Sequence, residues 1–114
     1  MIKIIREKIS KQELKKSAHP VFVSLVKAVV DVGKEIMAVG GELHSDEEAV
    51  LLEDGSEQKN LWGINIYPDS IGENMIGFDS MINIRPRQNN RSRGVENKET
   101  RTKIISTVNK LICE

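Results

Sequence analysis

Four arginines fall within nine residues of this 114-residue chain, Arg85, Arg87, Arg91 and Arg93 in RPRQNNRSRG, interleaved with Gln88, Asn89, Asn90 and Ser92. A guanidinium is planar and permanently charged, and it grips carboxylate or phosphate oxygens in pairs, while carboxamides orient hydroxyls or base edges. The chemistry expected of this loop is recognition of an anion, with Asn90 among the binding amides. Just upstream, the alternating runs LWGINIY and FDSMINIRP set Asn65, Asp79, Asn83 and Arg85 opposite their large apolar residues. If the segment between the runs is a hairpin loop, Asn65 lies across from or diagonal to Asp79, with Tyr67 close by. Asp79 interrupts an otherwise apolar strand, which makes it the carboxylate best placed for acid–base work.

Other chemistries find little support. The chain carries no nucleophile elbow, Walker loop, dinucleotide fingerprint or paired-cysteine zinc motif. Glu42, His44, Asp46, Glu47 and Glu48 crowd into seven residues, yet ligands on a helix should recur every three or four positions and no second histidine or cysteine stands nearby. Neither a metal nor a cofactor is expected. His19 and His44 both have helix-boundary explanations, so no catalytic residue is assigned. Nucleic acid is disfavoured, because Trp62 and Phe78 are committed to the core and leave a poor stacking platform.

Formal net charge is zero, but the charges are segregated. Residues 42–58 hold seven acidic side chains and no basic one, whereas 80–94 hold four arginines and no acid. Three functions compete on this basis. The first is a non-catalytic module that binds an anionic small molecule or protein partner through the arginines. The second is an enzyme acting on a phosphorylated or carboxylated small molecule, with Asp79 as acid–base. The third is a homo-oligomer whose acidic and basic segments join subunits.

The elements that must position these residues are readable in part. Met1–Arg6 reads as a strand. Ser10 caps a helix with Glu13 three residues on, Ile9 and Leu14 forming a staple, and Pro20 ends it near Ala18. VKAVVDV and EIMAVGG form a hairpin about a Gly33-Lys34 turn, with strands apolar on both faces and hence central. Asp31 is expected near the turn and solvated. A short acidic helix follows, capped by Ser45 with Glu48 and stopped by Gly55. Residues 60–67 and 76–86 form a second hairpin whose core faces are Trp62, Ile64, Ile66 and Phe78, Ser80, Ile82, Ile84. Asn97 caps the last helix, striped by Ile104, Ile105, Val108, Leu111 and Ile112, with Cys113 in its final turn.

The segments KAVVDV, IMAVGGELH, LLEDGS, LWGINIYPD, FDSMINIRP and NRSRGVE, with the closing helix, resemble a small prokaryotic family of uncharacterised proteins, a domain of unknown function. The resemblance implies a single-domain protein and carries no activity or ligand. The stretch SAHPVFVS departs from the more helical, charged segment that family leads one to expect. The chain's end, a strand followed by VENKETRTKIISTV, is similar by analogy alone to the end of a sporulation regulator family that binds DNA.

The expected architecture is a single α+β domain over residues 1–114. Two β-hairpins plus an N-terminal strand form a largely antiparallel sheet with three helices packed on it, in the order β-α-β-β-α-β-β-α. With 39% hydrophobic residues, 30% charged residues and one cysteine, the composition suits a cytoplasmic protein without a membrane segment.

Overall fold

Val26–Asp31 (β3) is the strand on which the sheet is built, as its apolar character on both faces requires. The computed structural model describes residues 1–113. On one side β3 pairs with Ile36–Val39 (β4), which pairs with Lys3–Ile5 (β1); on the other it pairs with Leu61–Ile66 (β5), which pairs with Ile76–Gly77 (β6). Every one of these pairings is antiparallel. Ile9–Ser10 (β2) and Ile112–Cys113 (β7) add a small parallel pair.

Strand alternation sends the two faces of this sheet to different cores. Ala28, Val30, Trp62, Ile64 and Ile66 pack with Leu14 of Lys11–Lys16 (α1) and with Ile104, Val108 and Leu111 of Lys98–Leu111 (α3). Val29, Ala38 and Leu61 pack on the other side with Leu51 of His44–Glu53 (α2) and with Ile82. The largely antiparallel sheet and its three helices are thus as expected, with helices on both faces.

Local signals were obeyed where they needed only a few residues. Ser10 Oγ accepts from Glu13 N (3.1 Å), Asn97 Oδ1 accepts from Thr100 N (2.9 Å), and Gly55 ends α2 at φ +103°. There Ser56 N donates to Leu51 O and Gly55 N to Leu52 O, the paired bonds of a Schellman stop.

Five expectations are corrected. Residues 76–86 are not one strand: only Ile76–Gly77 pairs, and Met81–Asn83 and Pro86–Gln88 are 3-10 turns, because Ser80 Oγ caps Ile82 N and Pro86 cannot donate. Their side chains consequently do not share a face, and Ile84 is exposed. The first hairpin turn has four linking residues, with the positive φ at Glu35 (57°) rather than at Gly33. Asp31 is buried, and its Oδ1 accepts from Gly33 N and Lys34 N while Oδ2 accepts from Ser56 Oγ (2.6 Å). At the start of α2, Leu43 occupies the cap position with no side-chain bond, so neither Ser45 nor Glu48 caps it. Ile112 and Cys113 leave α3 for the strand β7, and Ile105 is exposed.

Candidate functional site

Of the eight residues singled out by sequence, three belong to a framework, three line an open cleft, and Arg87 and Arg91 belong to neither. Arg85 belongs to the framework. Its guanidinium lies 4.5 Å from the Trp62 ring centroid and donates to the carbonyls of Ile82, Gln58 and Leu61. Cation–π contact and carbonyl bonds hold this half-buried charge in place, and desolvation pulls its pKa down from the ordinary arginine value. Asn83 is fully buried and donates to Arg93 O (3.0 Å) as well as bonding Gly63. Asn90, also buried, donates to the carbonyls of Asn83, Ser92 and Gly94 and accepts from Glu96 N (2.8 Å).

The loop's own amides already hold an anion. Glu96 Oε2 accepts from Arg91 N (2.8 Å) and Ser92 N (2.9 Å), and these bonds hold its carboxyl below the usual glutamate range. A carboxylate in a nest of peptide N–H groups leaves no room there for a ligand's anion. Arg87 and Arg91 are exposed and lie outside the cleft lining. Among the described residues, no ion pair joins an arginine of this loop to the acidic 42–58 segment; Arg6 pairs with Asp54 instead (2.7 Å).

Arg93, Asp79 and Asn65 do come together. Arg93 Nε lies 2.7 Å from Asp79 Oδ1, and Asn65 Nδ2 lies 3.5 Å from Asp79 O. Asn65 pairs with Gly77 in the β5–β6 register, which sets Asp79 diagonally beyond it as the hairpin arrangement predicted. The backbone of Arg93 is tied down by Ser80 N (2.9 Å) and by Asn83, so two framework groups fix where its side chain starts. All three residues line a cleft of ≈ 310 Å³ at the open end of the sheet, between the start of α2 and residues 79–82.

Two further cleft residues are not among the sequence candidates: Lys27 is not singled out there, and His44 is set aside as a helix-boundary residue. Lys27 stands opposite Asn65 in the β3–β5 register, on the same face. His44 opens α2 and is buried, with Nε2 2.7 Å from Ile64 O. A carbonyl only accepts, so Nε2 carries the proton and Nδ1 is the ring's remaining acceptor. Burial, reinforced by Lys27 and Arg93, lowers the His44 pKa against the opposing pull of the Ile64 bond and Asp79. Gly63 makes the approach possible: a Cβ there would sit 2.6 Å from Ser80 Oγ and 3.2 Å from His44 Cγ. The signal for His44 lay in Gly63, a glycine inside a strand, which marks close approach.

Leu25, Leu43, Met81 and Ile82, with Ser45 and Ser80, complete the walls, and Leu43 and Met81 are exposed at 52% and 66%. No group of three or more potential metal ligands occurs among the described residues. Among the described residues, no helix is long and apolar enough to cross a membrane.

The fold and site define a small α+β domain with a mixed-charge cleft at one end of an antiparallel sheet. The chain belongs to the family described as protein of unknown function (DUF5674), whose model matches residues 3–111. Neither the curated proteins nor the solved structures gave a match.

Proposed function

We propose that this protein is a non-catalytic binding module whose ligand presents an anionic group to the cleft, with Arg93 and Lys27 as its charge partners. The observation that carries this is that two cations, Lys27 of β3 and Arg93 at the end of the arginine loop, line one concave site, the Lys27 ammonium resting 5.2 Å from the Phe22 ring centroid. Arg93 is only partly engaged by Asp79, since both side chains are 57% exposed and the guanidinium keeps further N–H groups to offer. A cleft of ≈ 310 Å³ lies at the lower end of the range for small-ligand pockets, which favours a small molecule over an extended partner.

Titration of ¹⁵N-labelled protein with acetate and with inorganic phosphate tests this. Saturable shifts at Lys27, His44, Asn65 and Arg93 are expected, weakened about tenfold or more by Arg93→Gln and by Lys27→Gln. Unsaturable shifts, or equal binding by both variants, would reject the site.

The alternative of an enzyme acting on a phosphorylated or carboxylated molecule draws support from His44, a histidine kept neutral beside the exposed carboxylate of Asp79.

A further inference from the structure

The cleft contains more acceptors than a simple anion could satisfy. Asn65 Oδ1 is buried and has no hydrogen-bond partner. Its orientation is set by its neighbour: Asp79 O only accepts, so the Nδ2 side of the carboxamide faces it and Oδ1 faces away. His44 contributes a second acceptor at Nδ1, and the exposed carboxylate of Asp79 a third. A phosphate or carboxylate alone would bring oxygens against these lone pairs. An orphaned buried acceptor is destabilising, and a ligand with N–H donors removes the deficit.

Walls and charges narrow the class further. Arg93 and Asp79 stand as an adjacent cation and anion, 2.7 Å apart, which is the complement of a carboxylate and an ammonium on one small framework. Leu43 and Met81 are both exposed large apolar residues, and both border this cleft. Isolated exposed apolar residues are ordinary, but two beside one small polar site offer cover for an aliphatic group.

We infer that the cleft takes a small zwitterion of the α-amino acid class with an aliphatic side chain: carboxylate to Arg93 and Lys27, ammonium to Asp79 and Asn65 Oδ1, side chain against Leu43 and Met81. This rests on the anion-binding reading of the same cleft and adds the ammonium and the aliphatic group to it.

Calorimetry with the full chain and three probes separates the two levels. L-leucine has all three features, 4-methylpentanoate lacks the amine, and acetate has only the carboxylate. Leucine should bind about tenfold or more tighter than 4-methylpentanoate, one charge-assisted hydrogen bond's worth. Asp79→Asn and Asn65→Val should each shrink that preference, whereas Arg93→Gln should weaken both probes alike. Asp79 is exposed, so its variant tests the idea even if Asn65→Val disturbs β5. Equal affinity for leucine and 4-methylpentanoate, or binding of acetate with no gain from leucine, overturns the zwitterion and leaves the anion site standing. If none of the probes binds, both are overturned.

Discussion

The side-chain amide of Asn83 grips both backbone groups of Gly63: Oδ1 accepts from Gly63 N at 2.8 Å and Nδ2 donates to Gly63 O at 2.9 Å. Asn83 thereby does for the outer edge of β5 what a neighbouring strand would do, beyond the point where the two-residue β6 stops. The same carboxamide holds Arg93 O, so sheet edge and cleft share one brace. Asn83→Leu should destabilise by roughly 2–4 kcal/mol, because two buried backbone groups of Gly63 lose their partner and Arg93 O keeps only Ser80 N. Asn83→Asp should be comparably harmful, since a carboxylate cannot donate to Gly63 O or Arg93 O. Urea unfolding measures both; a loss below about 0.5 kcal/mol would mean that water replaces the brace.

Three of the four arginines should divide sharply in their effects on stability. Arg85→Ala removes a ring contact and several carbonyl bonds at a half-buried site, and should cost about 2 kcal/mol with a shift in Trp62 fluorescence. Arg87→Ala and Arg91→Ala touch exposed side chains and should fall within about 0.5 kcal/mol of the parent. Similar losses for all three would contradict this partition.

Glu47 should make stability fall as pH rises. Its side chain is fully buried, Oε2 accepts from Gly41 N (2.9 Å), and Oε1 has no partner; burial pushes its pKa up to about 9 despite that bond. With an ordinary value of 4.5 in the unfolded chain, the folded state holds the extra proton across the interval between the two values. Stability is therefore fully present below the unfolded value and is lost progressively up to the folded one. Glu47→Gln, which mimics the protonated acid, should flatten this slope and gain roughly 1–3 kcal/mol at pH 8, the difference vanishing toward pH 4. Denaturation midpoints at several pH values decide it; parallel curves for parent and variant would refute the assignment. His44 acts in the opposite sense, its contribution falling away as pH drops below the ordinary histidine value.

Glu35 carries the left-handed backbone of the first hairpin turn, at φ 57°. Glu35→Gly should remove that strain, worth about 1 kcal/mol, and give up only an exposed pair with Lys110 at 3.2 Å. A net gain of roughly 0.5 kcal/mol in thermal or urea unfolding is expected. Gly33→Ala should stay within about 0.5 kcal/mol of the parent, because Gly33 is not left-handed and its added Cβ would meet only the end of the Asn60 side chain, which can swing aside. A large loss for Gly33→Ala with no gain for Glu35→Gly would place the strain at Gly33.

Much of the frame is written in short stretches of chain. Ser10 with Glu13, Asn97 with Thr100, Gly55 after α2 and the apolar stretch Ala28, Val29, Val30 of β3 each act through neighbours a few residues away, so composition and spacing were enough to find them. Alternation also placed Trp62, Ile64 and Ile66 on a common core face, and the diagonal from Asn65 to Asp79 followed from hairpin geometry. Residues 79–93 were harder, because the same alternation occurs there without a strand. Ser80, Asn83 and Pro86 turn the backbone away from the sheet, and what remains of strand pairing is supplied by a side chain.

By itself, then, the sequence determined an α+β fold of antiparallel strands and three helices, and the neighbourhood in which polar residues gather. Only the tertiary structure decided what each of those residues does. An asparagine or arginine has the same formula whether it braces a backbone or faces a ligand, and the difference depends on which carbonyls lie within reach across 20 or more residues of chain. Long-range packing put Asn83 and Arg85 to work inside the framework, while Asn90 was taken up by bonds within its own loop; packing also brought Lys27 and His44 to a cleft the arginine loop does not announce, and left Asn65, Asp79 and Arg93 lining it.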